Sequence, residues 1–134
     1  MVKDIAEAIR QAERGTSGEI RVHLAKRPGP DVMASARKTF VKLKMHRTRL
    51  RNGVLLYVAP KQHVFAIVGD EGIHAKVGTD HWAAARDAML DEFKHGRLKE
   101  GILAGVRLTG EKLRQFFPAD GPNGNELPDT VTES

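Results

Sequence analysis

The stretch NGVLLYVAPKQHVFAIVG, residues 52–69, constrains the fold more than any other. Its first half is nearly continuous in apolar residues, as a central strand buried on both faces must be. Its second half is another strand. The APKQ between them is too short for anything but a hairpin, so the two strands run antiparallel. A strand buried on both faces needs a layer above it and a layer below.

The rest of the chain supplies those layers. GEIRVHLAK, residues 18–26, alternates: Ile20, Val22 and Leu24 point one way, and Glu19, Arg21 and His23 the other. This is a strand with one face more polar than the other. A helix over about 31–45, capped by Asp31, separates it from the strand at 52–60. Those two strands are therefore expected to be parallel, with a right-handed crossover. Helical spacing also marks 3–14 through Ile5, Ala8, Ile9 and Ala12, and 79–95 through Trp82, Ala85, Met89 and Phe93. The same spacing marks 97–117 through Leu98, Ile102, Val106, Leu113 and Phe117. Gly101 and Gly105 stand one turn apart and allow a neighbouring helix to come close, at about 1 kcal/mol each in helix propensity. The expected fold is a small three-layer αβα sandwich: one α/β domain over 1–117, with a mixed sheet of three or four strands and helices on both faces. Residues 118–134, PADGPNGNELPDTVTES, are polar and rich in Pro and Gly, and read as a mobile C-terminal tail. The alternative is a short edge strand within ELPDTV.

Composition narrows the function. The chain has 134 residues, 40% hydrophobic and 29% charged, as in an ordinary soluble domain. There is no cysteine, which excludes disulfides, thiolate metal sites and cysteine nucleophiles and fits a reducing compartment. The opening MVKDIAEAIRQAER lacks the apolar core of a signal peptide, and GVLLYVAP is too short to span a bilayer. The expectation is a cytoplasmic protein without a transmembrane segment.

Topology then brings distant acids together. The third strand runs against the first two, so its end at Gly69-Asp70-Glu71 lies beside their beginnings. One sheet edge gathers Glu19, Asp70, Glu71 and Asp80, with Arg51 nearby. The opposite edge carries Lys26, Arg27 and Lys61. Clustered carboxylates beside glycine turns are what Ca²⁺ or Mg²⁺ requires, and they repel one another unless a cation sits among them. Glu19, Asp70, Glu71 and Asp80 are the candidate metal ligands, and His74 is the candidate acid or base near such an ion. The competing account is structural: Asp70 and Glu71 cap a helical turn at 71–76, and Asp80 opens the next helix. The spacing is not that of an EF-hand, and a zinc set of Asp70, His74 and His81 matches no known motif. No phosphate-binding glycine loop, G-x-S-x-G or Ser-His-Asp order is present.

The other charged feature is basic. The net charge is +5, and RKTFVKLKMHRTRLR, residues 37–51, holds seven Lys and Arg. One reading is a docking surface, built on Lys42, Lys44, Arg47, Arg49 and Arg51, for an acidic partner or a membrane-associated one. The other is the solvated face of a helix and its exit loop. No aromatic stacking platform or recognition motif accompanies these residues, which argues against nucleic acid.

In order and spacing, TSGEIRVHL, MHRTRLRNGVLLYVAP, FAIVGDEGIHAKVGTDHW and the closing FFP resemble the TPM-domain family, from about Ala6 to Pro118. The tail NELPD is similar to endings of bacterial members. The resemblance implies a compact α/β sandwich of the short soluble bacterial type. For function it implies divalent-cation binding with phosphatase activity, or an auxiliary role in membrane-protein maintenance, including photosystem repair in thylakoids. Many members carry a signal peptide and a C-terminal membrane helix, and neither appears in this sequence. Where many relatives have a glycine–aromatic–glycine turn followed by an acid, this chain reads GDEGIH, with His74 near the place of that acid.

Overall fold

The structure, a computed structural model, describes residues 1–77, 82–119 and 131–133. The described residues form α1 (Val2–Ala12), β1 (Glu19–Leu24), α2 (Val32–Lys42), a 3-10 turn (Met45–Arg47), β2 (Gly53–Ala59) and β3 (Val64–Gly69). They continue with α3 (Glu71–Val77), α4 (Ala83–Lys94), α5 (Leu98–Phe116) and β4 (Val131–Glu133). The sheet order is β3-β2-β1-β4. β1 runs parallel to β2, in register Glu19 to Gly53, and parallel to β4, in register Val22 to Val131. β3 runs antiparallel to β2. The mixed sheet with helices on both faces is the architecture the apolar pattern requires.

Every residue of β2 is buried, and alternate side chains enter different layers. Val54, Leu56 and Val58 pack with Ile5 and Ile9 of α1, Met89 of α4, and Ile102 and Val106 of α5. Leu55, Tyr57 and Ala59 face Ala36 and Phe40 of α2 and Met45 of the 3-10 turn. Asp31 caps α2 by accepting from Ala34 N at 3.1 Å. On the three-helix side, α5 approaches its neighbours through glycine. A methyl group at Gly101 would lie 2.3 Å from the Phe93 ring, one at Gly105 would lie 2.5 Å from Met89 Sδ, and one at Gly110 would lie 2.7 Å from Ala12 Cβ. Gly101 and Gly105 thus seat α4, as their spacing predicts. Gly110, which the apolar stripe does not single out, seats α1.

The C-terminal segment departs from expectation. Val131–Glu133 is not tail but the fourth strand, paired with Val22–Leu24. β1 would otherwise present open backbone N–H and C=O groups along that side, and a three-residue strand satisfies part of them. His23 Nδ1 lies 2.7 Å from Thr132 Oγ1 across this pair.

The turn that closes the acidic edge is equally tight. A Cβ on Gly72, in the first turn of α3, would stand 2.1 Å from the Leu50 carbonyl oxygen and 2.6 Å from that of Arg51. Both obstacles are backbone and cannot rotate away. Gly72→Ala should gain up to about 1 kcal/mol in helix propensity and lose about 1–3 kcal/mol to overpacking, for a net loss. Urea unfolding of the variant checks this; stability equal to the parent's would show that the 48–52 turn shifts at no cost.

Candidate functional site

At the end of the sheet where β1 and β2 begin, Glu19 N donates to Asn52 O at 3.4 Å and Asp70 N to Gly53 O at 3.0 Å. The hairpin therefore brings the end of β3 and the start of β1 to the two sides of β2, as expected. The side chains then divide. Both oxygens of Asp70 accept from one guanidinium: Arg51 Nε to Oδ2 at 2.8 Å and Nη2 to Oδ1 at 3.0 Å. The same guanidinium donates through Nη1 to Glu71 Oε1 at 3.0 Å. Asp70 Oδ1 also accepts from Glu71 N at 2.8 Å, which caps the first turn of α3. Asp70 is buried, while the Glu71 side chain is 72% exposed. The hydrogen bonds to Asp70, reinforced by the charges of both acids, raise Arg51 above its ordinary value.

Arg51 is held for this task. Its φ is +52°, in the left-handed region that costs a non-glycine residue about 1–2 kcal/mol. Its N donates to Thr48 O at 3.2 Å and its carbonyl accepts from Gly72 N at 2.9 Å. Sequence reasoning placed Arg51 with Lys42, Lys44, Arg47 and Arg49 on a docking surface. The structure corrects this: Arg51 turns to the acids, because a buried Asp70 needs a paired charge more than solvent does.

Glu19 takes another direction. With Arg21 and His23 it forms a buried polar row on the α2 side of β1. Burial lowers Arg21 below its ordinary value, and the charges of Glu13 and Glu19 oppose that shift. Glu13 accepts from Ile20 N at 2.6 Å, beside the row. This contribution from the end of α1 carries no mark in the sequence pattern. The carboxylates at this end thus face cations that belong to the chain itself: Arg21 for Glu19, Arg51 for Asp70 and Glu71. Among the described residues no three His, Asp or Glu side chains group so as to hold a metal ion. Glu19 and the pair Asp70 and Glu71 thus share this end of the sheet with separate cationic neighbours. Asp80 and His81, and with them the zinc set, lie outside the described residues. His74 is on the exposed side of α3.

The basic segment has the opposite character. Arg37, Lys38, Lys42, Lys44, Arg47 and Arg49 are all exposed. No acidic residue occurs between Asp31 and Asp70. Among the described residues Arg37, Lys38, Lys42, Lys44 and Arg47 form no ion pair. α2 runs back along the sheet, so its last turn and the connector 43–52 lie at the end where β1 and β2 begin.

The fold and this site define a small α/β sandwich in which the buried Asp70 is paired with Arg51 while Lys42, Lys44 and Arg47 stand exposed without an ion pair among the described residues. The chain belongs to the TPM-domain family, whose pattern matches residues 2–112. Its structure is similar to the NMR structure of BA42 protein from the psychrophilic bacterium Bizionia argentinensis, with a TM-score of 0.91 and 44% identity, covering 98% of this chain and 91% of that one. No curated protein sequence matches the chain. No helix among the described residues is long and apolar enough to cross a membrane.

The polar row makes a pH prediction. His23 is buried, stacks on Tyr57 with ring centroids 5.5 Å apart, and meets Thr132. Burial, and then the charge of Lys42, hold it below the ordinary imidazole value. The unfolded chain then binds the proton more readily. Its stabilising effect is complete above about pH 6.5 and fades as the pH falls further. Thermal unfolding between about pH 7.5 and 5.5 (about one unit on either side of that value) should show this slope, and His23→Phe should flatten it. An identical slope in the variant would assign the effect to other groups.

Proposed function

We propose that this TPM domain is a non-catalytic docking module that holds an anionic partner surface against the end of α2 and the connector after it. One observation supports the reading: Lys42, Lys44 and Arg47 sit exposed with Arg37 and Lys38, without an internal ion pair among the described residues, in a segment free of acids. The ion pairs that form elsewhere, such as Arg97 with Glu92 and Lys99 with Asp4, do not involve these cations, which remain available to an outside charge. Exposed charges interact within about 8 Å at physiological salt, so affinity should fall steeply with ionic strength. Fluorescein-labelled polyglutamate serves as a probe. Its polarisation should rise with the native chain at low salt and not with the triple variant Lys42→Glu, Lys44→Glu, Arg47→Glu. Equal binding by the two proteins would overturn the proposal.

A second reading, a divalent-cation seat at the acidic edge with weak phosphatase activity and His74 as acid or base, draws support from Asn52. Its side chain is fully buried between the starts of β1 and β2, donates through Nδ2 to Ser17 Oγ at 3.2 Å, and leaves Oδ1 without a hydrogen bond. A buried carbonyl oxygen suits a hard cation. An ion there would compete with Arg51 for Asp70. Titration with Ca²⁺ or Mg²⁺ should then shift the NMR signals of 17–20, 52 and 69–71, and Arg51→Gln should tighten binding. No shift in either protein would remove this reading.

A further inference from the structure

Resting on the docking reading, we infer that the anionic surface is a lipid bilayer and that Val41 and Leu50 enter it. Two exposed apolar side chains stand among the basic ones: Val41 is 58% exposed and Leu50 41%. Val41 lies on the outer side of the last turn of α2. Arg37 precedes it by four residues and Lys38 by three, so both lie next to it on the helix surface. Lys42 follows directly. Leu50 lies between Arg49 and Arg51 in a turn closed by Arg51 N donating to Thr48 O at 3.2 Å.

That turn is rigid. Thr48 and Met45 are buried, Asn52 N donates to Thr48 Oγ1 at 3.2 Å, and Gly72 lies directly against the Leu50 carbonyl. The backbone of Leu50 is thus fixed while its side chain is presented outward. A single exposed valine or leucine is ordinary on a protein surface. Here each is set among cations at one end of one domain, as in proteins that lie on membranes: apolar side chains sink past the headgroups and Lys and Arg meet the anionic phosphates. A bilayer interior would cover Val41 and Leu50 as the headgroups meet the cations, whereas a purely acidic peptide would engage the cations alone. Phe40 is buried and no other Phe, Tyr or Trp occurs in 37–51, so the surface lacks the large rings on which nucleic-acid bases stack.

The test uses the full chain and sedimentation with vesicles. The protein should pellet with phosphatidylglycerol–phosphatidylcholine vesicles and stay in solution with phosphatidylcholine alone. Lys42→Gln, Lys44→Gln and Arg47→Gln should each lower the partition coefficient about fivefold, equivalent to about 1 kcal/mol per charge. Val41→Ser and Leu50→Ser should each lower it about tenfold, from lost apolar burial. All five positions are exposed, so the variants retain the fold. Leu50→Trp should gain fluorescence quenching by brominated lipid, over the fixed background of buried Trp82. Vesicle binding that ignores Val41→Ser and Leu50→Ser, with Leu50→Trp unquenched, would overturn insertion. Binding to polyglutamate but to no vesicle would overturn the bilayer, assign the surface to an acidic protein and leave the docking reading intact. Binding to neither would remove both.

Discussion

The complete burial of β2 on both faces is the constraint from which the rest of the structure follows. Successive side chains from Val54 to Ala59 enter two separate cores, one under α1, α4 and α5 and the other under α2. A shift of one residue in the pairing of β2 would exchange the two cores, so the register with β1 and β3 is fixed by packing. That register determines which residues share each end of the sheet. Arg51, Asn52 and Asp70 meet because β2 begins where β3 ends. The left-handed backbone at Arg51 and the glycine at 72 let the connector, β2 and α3 close together there.

Charge follows burial. A carboxylate in the interior must be paired, and the fold pairs Asp70 with Arg51 and sets Glu19 beside Arg21. A lysine in water needs no partner, and the end of α2 supplies none. The molecule is thus balanced inside and positive along one exposed margin. The repulsion expected among clustered acids is relieved by guanidinium groups of the same chain, so the acidic edge and the basic segment are joined through Arg51. That join couples the two functional readings: an ion at Asp70 would release Arg51 to the basic surface, and an engaged Arg51 keeps Asp70 from an ion.

Much of the fold was legible because it is periodic. The hairpin followed from a short gap between two apolar runs, the polar side of β1 from alternation, and a close helix approach on α5 from Gly101 and Gly105. β4 was legible only as an alternative to a tail, since three residues carry too little pattern, and its partner His23 lies 109 residues before Thr132. At the site, the strand directions placed Glu19, Asp70, Glu71 and Arg51 at one end of the sheet. The sequence missed which of them bond. Arg51 resembled its basic neighbours in every property that composition records. Only its place at the start of β2 turned it toward Asp70.

The sequence by itself determined the layers, the strand directions and the separation of acids from bases, because these depend on hydrophobic period, loop length and residue type. It also carried the family resemblance, through motifs that keep their spacing. Tertiary structure alone decided the pairing of Asp70 with Arg51, the burial of Glu19 beside Arg21, the return of β4 to the sheet and the exposure of Val41 and Leu50. These depend on distances between side chains far apart along the chain, and a hydrogen bond is made or lost over less than an ångström.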